Sequence, residues 1–497
     1  MKSFTFSRLY AASLIGLGAV AVVVACDPGT DMPGTQLDMT ATSDMTVASD
    51  MTMFDGPTVT SVSPAVGANN ATTNVTITGS NFRAGAAVTV AGVACGNVMV
   101  TSATTITCTV PAKAATCGAQ DIVVTHPDDG KSGTGVKLFT YRSSGTASWA
   151  NLVSYPTAAG PRRVLIGDFN ADNKLDLVTV NQTGNNITLK TGLGDGTFPS
   201  GASQNIAIGA GATGPSDLAM GDFNGDNRPD IVTVNNSNNI SVLTNQGGTV
   251  FNASVITTTG FTTGMGGSIA VGDITGDNRP DLVLGSSSTL FAQPMISMGT
   301  GQFMIGTQRA VGGSISKLAL ADMNKDGKLD IITSNSSTNS VTVSIGNGSG
   351  VFGNPLNQNV GTSPSGLFVI DLDGDKSLDV VASNDQSMNV SVLKGAGTGL
   401  LDPAVNQSLG TNRPAAVAVG DLNGDGKPDI VTANSLSNTW SYLQGTTPTT
   451  YAAHATSNAG AGPSDVAIAD LNGDGLQDIV LVSSGSNNVQ VALQVCK

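Results

Sequence analysis

The sequence predicts an all-β protein in which a small immunoglobulin-like sandwich precedes a seven-bladed β-propeller. The 497 residues include 62 glycines and only 4% aromatic residues, which is typical of short strands joined by tight turns. All 36 acidic residues are aspartate, so the helix-favouring glutamate is absent. An acidic nine-residue pattern recurs seven times at intervals of 49 to 54 residues. That interval suits a propeller blade of four strands.

The N-terminus predicts an export signal. Lys2 and Arg8 give a positive start, and the apolar stretch from Leu9 to Ala25 is too short for a stable spanning helix. The run VVAC, which ends at Cys26, resembles the lipobox of bacterial lipoproteins. That resemblance implies removal of residues 1–25, acylation of Cys26 and anchoring in the cell envelope, at the outer membrane or the cell surface. The alternative is a plain signal peptide that happens to contain a cysteine.

Residues 26–56 predict a disordered tether behind the lipidated cysteine. Four Asp-Met pairs stand among Thr, Ser, Gly and Pro, a composition that buries too little apolar surface to fold. As a flexible coil the segment has a reach of roughly 30 Å. A methionine-based copper site is the alternative, but these methionines have no fixed partner ligand.

Residues 57–141 predict the first folded unit. Apolar and polar residues alternate in Val75–Thr78, Ala87–Val90, Ile106–Val110 and Asp121–Val124, and turns separate these runs, as in a small antiparallel sandwich. The stretches SVSPAVGANNATTNVTITGSNF and VAGVACGNVMVTSATTITCTVPA, with LFTY at the end, resemble an IPT/TIG domain. The resemblance implies a spacer or interaction role and names no ligand.

Four cysteines remain once Cys26 is taken as the lipidation site. An even number in an exported chain predicts disulfides, with three possible pairings. We favour Cys95 with Cys108, on neighbouring strands of the sandwich, which leaves Cys117 to pair with Cys496 and join the two domains. The alternative is that Cys117 or Cys496 stays free, because spacing alone does not show the short Cα separation that a disulfide requires.

The seven acidic loops have the donor spacing of a calcium site. In DLNGDGKPD, residues 421–429, oxygen-bearing side chains stand at positions 1, 3, 5 and 9. Oxygens at alternate positions of a tight turn face a common centre, and a carbonyl near position 7 adds a ligand, as at the start of an EF-hand loop. All-oxygen, flexible ligation favours Ca²⁺ over Zn²⁺, Cu²⁺ and Mg²⁺. The predicted ligands of up to seven structural calcium ions are Asp168, Asn170, Asp172, Asp176, Asp222, Asn224, Asp226, Asp230, Asp273, Thr275, Asp277, Asp281, Asp322, Asn324, Asp326, Asp330, Asp371, Asp373, Asp375, Asp379, Asp421, Asn423, Asp425, Asp429, Asp470, Asn472, Asp474 and Asp478.

A metal-free Asx turn is the alternative for any single loop. Seven loops in register favour a cation, because three or four carboxylates within a few ångströms repel one another. They are not EF-hands, since no glutamate stands at position 12 and a β run follows each loop. Two loops are expected to be weaker, and their occupancy stays open. Thr275 takes position 3 of the third, and Lys376 takes position 6 of the fifth, where a positive φ is needed, although Asp373 adds a carboxylate.

The rest of each repeat predicts about four short strands. After Asp470 only three strands remain, and the missing fourth is expected near residues 148–155, so that the ends of the array pair and close a ring. Over residues 146–497 the repeats resemble the FG-GAP/VCBS repeats of integrin α-subunit propellers and many bacterial surface proteins. The resemblance implies that the side chains at positions 1, 3, 5 and 9 bind calcium and that this calcium is structural. It also implies ligand binding on the opposite face or at blade junctions.

These features predict a recognition or adhesion module that binds a protein or glycan of unknown identity through its propeller. The alternative is a structural or envelope-assembly protein without a specific ligand. A hydrolase is less expected and no catalytic residue is predicted, because Gly-x-Ser-x-Gly, His-Glu-x-x-His and all glutamates are absent. A net charge of −14 without a basic run argues against nucleic acid. We expect a monomer.

Four further side chains are ambiguous in the sequence. His126 and His454 are the only histidines, and we expect both at the surface. Trp149 and Trp440 are the only tryptophans. Each occupies a strand-like position that core packing explains as well as stacking on a sugar does.

Overall fold

A computed structural model describes residues 56–113, 116–142, 147–199, 201, 203–256, 259–261, 267–447 and 449–495. The predicted signal segment, the lipidation site Cys26, the tether up to residue 55, and Cys496 lie outside these residues. From Asp55 to Lys497 the chain forms one compact unit. In the part of the chain that is described, no helix is long and apolar enough to cross a membrane.

The first domain is the predicted sandwich of two sheets. One sheet has the order β1-β3-β7-β6 and the other β2-β9-β8-β4-β5, in which only β2 and β9 are parallel. Alternate residues of β7 face the core beside Phe139 and Tyr141, which are almost fully buried. The strands are β1 (Thr58–Ser63), β2 (Val66–Ala68), β3 (Thr73–Ser80), β4 (Ala87–Val90), β5 (Val93–Ala94), β6 (Gly96–Ser102), β7 (Thr105–Val110), β8 (Gly118–Thr125) and β9 (Ser132–Arg142).

The favoured disulfide between Cys95 and Cys108 is wrong, since both are free thiols. The register pairs Gly96 with Thr109, so the two cysteines are diagonal neighbours and do not face each other across the strands. Their thiols interact by a hydrogen bond that lowers the pKa of Cys95. Cys117 is disulfide-bonded. Because Cys496 lies outside the described residues, the bridge between these two stays a prediction.

The expected surface position of His126 is also wrong. This histidine is 1% exposed, and its Nε2 lies 2.7 Å from the carbonyl oxygen of Asn81. Packing of the turn after β8 against the loop after β3 buries the ring, which the local sequence does not reveal. His454 is partly buried.

The second domain consists of seven sheets of four strands, the third of which carries an extra short strand. The first four sheets comprise β11 (Pro161–Gly167), β12 (Asp176–Asn181), β13 (Asn186–Lys190) and β14 (Ser203–Ala207); β15 (Pro215–Gly221), β16 (Asp230–Asn235), β17 (Asn239–Asn245) and β18 (Phe251–Ile256); β19 (Ile269–Gly272), β20 (Asp281–Gly285), β21 (Phe291–Ser297), β22 (Phe303–Ile305) and β23 (Arg309–Ala310); and β24 (Ile315–Ala321), β25 (Asp330–Asn335), β26 (Ser340–Ser344) and β27 (Leu356–Asn359).

The remaining three sheets complete the propeller. A short hairpin of two strands, β35 and β36, lies between β34 and β37 of the sixth sheet. The strands are β28 (Pro364–Ile370), β29 (Asp379–Asn384), β30 (Asn389–Leu393) and β31 (Val405–Ser408); β32 (Pro414–Gly420), β33 (Asp429–Asn434), β34 (Thr439–Leu443), β35 (Gly445–Thr447), β36 (Thr450–Tyr451) and β37 (Ala455–Asn458); and β38 (Pro463–Ala469), β39 (Asp478–Ser483) and β40 (Asn488–Ala492), with β10 (Val153–Pro156) as the fourth strand of the seventh sheet.

The described sheets form a closed ring of seven blades. The first strand of each sheet contacts the first strand of the next, and β38 of the seventh sheet contacts β11 of the first. Strand β10 pairs antiparallel with β40, with Tyr155 opposite Val489. The predicted pairing of the two ends of the repeat array is confirmed, and it supplies the fourth strand of the seventh blade.

The second strand of each blade is buried on both faces. The sequence DIVTVN of β16 is buried at all six positions, because the neighbouring blades cover the two sides of the sheet. A strand buried on both faces lacks the inside–outside alternation of a half-exposed strand, and its polar residues Thr233 and Asn235 are hydrogen-bonded to each other at 3.0 Å. The apolar residue at position 2 of each acidic loop, such as Phe223, is also almost fully buried. The core therefore fixes both ends of each loop.

Candidate metal-binding loops

Each acidic loop joins the first strand of a blade to its second strand. The backbone φ is positive at positions 4 and 6 of all seven loops, between 62° and 84°. Glycine or asparagine fills most of these positions because it adopts this conformation at little cost. The exceptions are Ala171, Lys325 and Lys376. The predicted positive φ at position 6 is confirmed, even at Lys376.

The loop carboxylates accept hydrogen bonds from the loop backbone. In every loop an oxygen of the position 1 aspartate accepts from the position 6 N–H at 2.7–2.9 Å. An oxygen of the position 5 aspartate accepts from the position 7 N–H at 2.6–3.0 Å. These bonds hold both side chains over the turn. Each carboxylate oxygen keeps lone-pair capacity for a further partner.

The aspartate at position 9 has a second role that sequence reasoning missed. All seven are fully buried. One oxygen accepts from the position 2 N–H at 2.8–3.1 Å. The other accepts at 2.7–2.9 Å from an N–H 15 or 16 residues later, at or just after the end of the third strand. This carboxylate therefore clamps the loop to the rest of its blade.

The loop side chains fit a hard cation. Oxygens of Asp371, Asp373 and Asp379 lie within 4.8 Å of one another, and in the sixth loop the buried Oδ1 of Asp421 has no hydrogen-bond partner. Burial raises the pKa of the position 9 aspartates, to about 7 for Asp429 and Asp478, and the charges of other loop aspartates add to the rise. A bound cation would offset both the burial and the repulsion.

The comparisons with known families agree with this loop geometry. A profile of the FG-GAP-like repeat matches the ranges 118–179, 168–233, 222–284, 322–382, 371–432 and 421–481. These ranges cover about two thirds of the chain and contain all seven acidic loops. The chain belongs to the FG-GAP-like repeat family. A second profile, of the IPT/TIG domain, matches residues 57–141 and confirms the sandwich that the sequence predicts there.

Three solved structures resemble this FG-GAP-like chain at low identity. An auxiliary nutrient binding protein from Bacteroides ovatus is 12% identical, with a TM-score of 0.41, over 88% of this chain and 98% of that one. BBS1N, in a complex with ARL6DN soaked with lead, is 11% identical, with a TM-score of 0.50, over 70% and 96%. A provisionally named phosphatase from Bacteroides thetaiotaomicron is 10% identical, with a TM-score of 0.42, over 89% and 98%. Of these three, the likeness to BBS1N reaches a TM-score of 0.50 and concerns the fold alone. No curated protein matches the chain.

The third FG-GAP loop departs from the others as its sequence predicts. Six loops have an amide or carboxylate oxygen at position 3 that accepts from the position 5 N–H. Thr275 instead donates its hydroxyl proton to Asp281 Oδ2 at 3.1 Å. A hydroxyl that donates to a neighbouring carboxylate is a weaker cation ligand than a carboxylate or amide oxygen.

The fifth loop has a basic partner that the sequence analysis missed. The ammonium group of Lys394 is hydrogen-bonded to Asp373 and lies 3.9 Å from Asp375. The residues at the equivalent place in the other blades, immediately before the N–H that binds the position 9 carboxylate, carry no charge. An alignment of the third strands of the seven blades would have shown that the fifth blade alone carries a basic residue at this place. Lys394 therefore neutralises part of the charge that a cation would neutralise in this loop.

The IPT/TIG domain lies against the sixth and seventh loops. Arg142, the last residue of β9, forms an ion pair with Asp421 at 3.1 Å. The N–H of Ala119 donates to the carbonyl oxygen of Asp474 at 2.8 Å, and the ammonium group of Lys137 binds the carbonyl oxygen of Gly473. Because Gly118 packs tightly on Asp474, a side chain at that position would clash. The sandwich therefore rests on backbone and acidic groups of two candidate metal loops.

The face opposite the FG-GAP loops carries a polar bowl. Its volume is about 580 Å³, and all seven blades contribute to its lining. Serines predominate, with Arg162, Gln182 and Asp385 also present. The lining residues come from the start of first strands and the turns after second strands, which are the ends remote from the acidic loops. The bowl is therefore a concave, hydroxyl-rich surface at the centre of the ring.

A buried ion-pair network lies among the first strands beside this bowl. Lys317 donates to Asp217 at 2.7 Å, and Arg163 lies 3.9 Å from Asp217 and 3.3 Å from Asp465. Asp217 also accepts from the hydroxyl of Ser268 at 2.8 Å. Burial alone would raise the pKa of Asp217, but the two cations outweigh it and lower that pKa. Two positive and two negative side chains from four blades thus tie the ring together.

Proposed function

We propose that this chain is a calcium-stabilised, lipid-anchored envelope protein whose propeller binds a protein or glycan ligand. The observation that carries the proposal is the bowl on the face opposite the loops, to which every blade contributes a lining residue. A concave site with convergent polar groups is the usual form of a binding site. The lipid anchor and the tether would place that site at the envelope surface.

Calcium has a structural place in this proposal. The side chains at positions 1, 3, 5 and 9 of the loops would hold the ion. When bound, calcium would neutralise clustered carboxylates and add oxygen ligation to each turn. The third and fifth loops would hold it less tightly, because Thr275 donates to Asp281 and Lys394 already pairs with Asp373.

A screen of the full chain against a glycan array and extracted envelope and matrix proteins tests the proposal, with calcium and then with chelator. We expect a saturable hit that Ser435→Trp abolishes, because Ser435 lines the bowl and a tryptophan would fill part of it. Leu436→Trp is the matched control, since Leu436 is 66% exposed and lies outside the lining. A hit that both variants leave unchanged would place binding elsewhere.

A structural role without a specific ligand is the second candidate. The contact of the IPT/TIG domain with two propeller loops favours it, because that contact makes one compact body suited to a spacer. If the screen detects no binding and thermal melting shows that the protein is folded, the result would support this role over recognition.

A further inference from the structure

The only two tryptophans of the chain meet at the seam where the propeller closes. Trp149 lies just before β10, and its ring centroid is 5.1 Å from that of Trp440 in β34, with the planes at 90°. Trp149 is also 5.0 Å from Tyr442, at 71°. These rings border a pocket of about 560 Å³ between the sixth blade and the closing strand. We call it the seam pocket.

The seam pocket is separate from the bowl. The backbone of Trp149 forms an isolated antiparallel β-bridge with Gln494. The N–H of Gln494 donates to Asp478 of the seventh loop. The Tyr442 hydroxyl donates to Asp429 Oδ2 of the sixth loop at 3.0 Å. Both contacts place the seam pocket on the side of the acidic loops, whereas the bowl lies on the opposite face. A ligand here would not compete with one in the bowl.

The lining of the seam pocket is neutral and mixes aromatic with polar groups. Among the described residues that line it, none has a charged side chain. Asn151, Gln444 and Asn458 supply amides, and Ser148 and Ser457 supply hydroxyls. Six alanines leave the space open: Ala147, Ala150, Ala452, Ala453, Ala455 and Ala492. This lining disfavours an ionic ligand, because no side chain of opposite charge lines the pocket to pair with it.

The indole N–H of Trp149 is an unused donor. Its Nε1 atom is buried and has no hydrogen-bond partner. A buried donor without an acceptor is costly, and a buried tryptophan N–H usually finds one. Trp440 and Tyr442 are each 5% exposed, so their rings are held rigidly beside it. The wall of the pocket thus combines fixed aromatic rings with a buried donor that has no acceptor among the described residues.

We propose that the seam pocket binds one or two neutral pyranose rings of a glycan. A pyranose has an apolar C–H face that packs on an aromatic ring, and its hydroxyl groups exchange hydrogen bonds with amides such as those of Asn151, Gln444 and Asn458. The volume of about 560 Å³ lies within the range for small-ligand sites. The absence of charge in the lining selects neutral sugars over uronic acids and amino sugars.

Intrinsic tryptophan fluorescence tests this proposal directly, because both reporters line the pocket and the chain has no other tryptophan. The full chain is titrated with neutral hexoses and disaccharides, and in parallel with glucuronate and glucosamine. We expect a saturable emission change with at least one neutral sugar and none with the charged ones. No change with any neutral sugar, from a protein whose melting shows it folded, would overturn the proposal. Equal binding of the charged sugars would overturn it as well.

Three variants test whether the sugar binds in the seam pocket. Ala455→Leu should weaken binding at least tenfold, because Ala455 pairs with Tyr442 and a larger side chain fills the cavity. Ala461→Leu, at an exposed alanine outside the lining, should leave the affinity unchanged. Trp149→Phe keeps a ring but reduces its area, and should weaken binding about fivefold, because less aromatic surface contacts the sugar.

The two proposals fail separately. Binding that Ser435→Trp abolishes but Ala455→Leu leaves intact supports the bowl and rejects the seam pocket. The reverse pattern supports the seam pocket and rejects the bowl.

Discussion

The aspartate at position 9 of each loop combines a predicted metal ligand with a backbone clamp. We predict that Asp176→Asn lowers the free energy of unfolding by about 1–3 kcal/mol even in chelator, because the amide cannot accept from both N–H donors. Asp172→Asn keeps the oxygen that accepts from Lys174 N–H and gives up only an exposed 3.2 Å bond from the Asn170 amide, so its loss should appear mainly with calcium. Chemical denaturation of both variants, with calcium and with chelator, checks this. Equal losses for both variants in chelator would contradict the clamp.

Lys376 is a lysine in a backbone conformation that favours glycine. Its φ is 68°, so we predict that Lys376→Gly raises the free energy of unfolding by about 0.5–1 kcal/mol through relief of left-handed strain. Lys427→Gly is the matched control, because Lys427 stands at position 7 of the sixth loop, where φ is not positive in the structure. That control should destabilise through added backbone freedom. Thermal unfolding of both variants gives the comparison, and a loss of stability in Lys376→Gly would refute the prediction.

At this scale the sequence predicts what depends on local spacing and misses what depends on distant partners. The need for a positive φ at position 6 follows from the turn itself, and Lys376 adopts it. The carboxylate of Asp176 accepts from the N–H of Gly192, which lies after the third strand. The sequence of the loop itself does not predict that contact. The free thiols of Cys95 and Cys108 depend likewise on strand register, which their spacing does not fix.

The first strands of the blades are tied together by the network around Asp217. Because the two cations lower the pKa of Asp217, this carboxylate adds stability above its unfolded pKa of about 3.9. That stability is lost as pH falls through the lower folded pKa. We predict that Asp217→Asn lowers the free energy of unfolding at pH 7 by about 3 kcal/mol. The variant should also lose less stability than the native protein between pH 4 and pH 2.

Melting of the native protein and the variant across that pH range checks the prediction. Asp402→Asn serves as the control, since Asp402 is exposed and forms no ion pair within 4.0 Å among the described residues. An Asp217→Asn variant with native stability at pH 7 would show that the network contributes nothing to the ring.

At the scale of strands, the sequence predicts the repeat but not the contents of its seams. The four strands of each repeat and the closing strand near residues 148–155 follow from periodicity, and β10 pairs with β40 as expected. Trp149 and Trp440 are far apart in the chain, and only closure of the ring brings them together. The two rings pack against each other and also line the seam pocket for which we propose a sugar. No local sequence pattern reveals that pocket.

For the whole molecule, the decisive expectation concerns calcium. Each loop sits between two strands of a closed ring, so an ion bound there stabilises the folded chain only, by about 2.7 kcal/mol per site at 100 times its dissociation constant. In a domain of about 350 residues, 1 kcal/mol shifts the melting midpoint by roughly 1–1.5 °C, from an unfolding entropy of about 2.1 cal/mol/K per residue. Several occupied loops should therefore add more than about 10 °C.

We predict that chelator lowers the midpoint by at least that amount and that Mg²⁺ does not restore it. Calorimetric titration should give a stoichiometry below seven if Thr275 and Lys394 weaken their loops. An unchanged melt in chelator would reject calcium as the ion these loops bind.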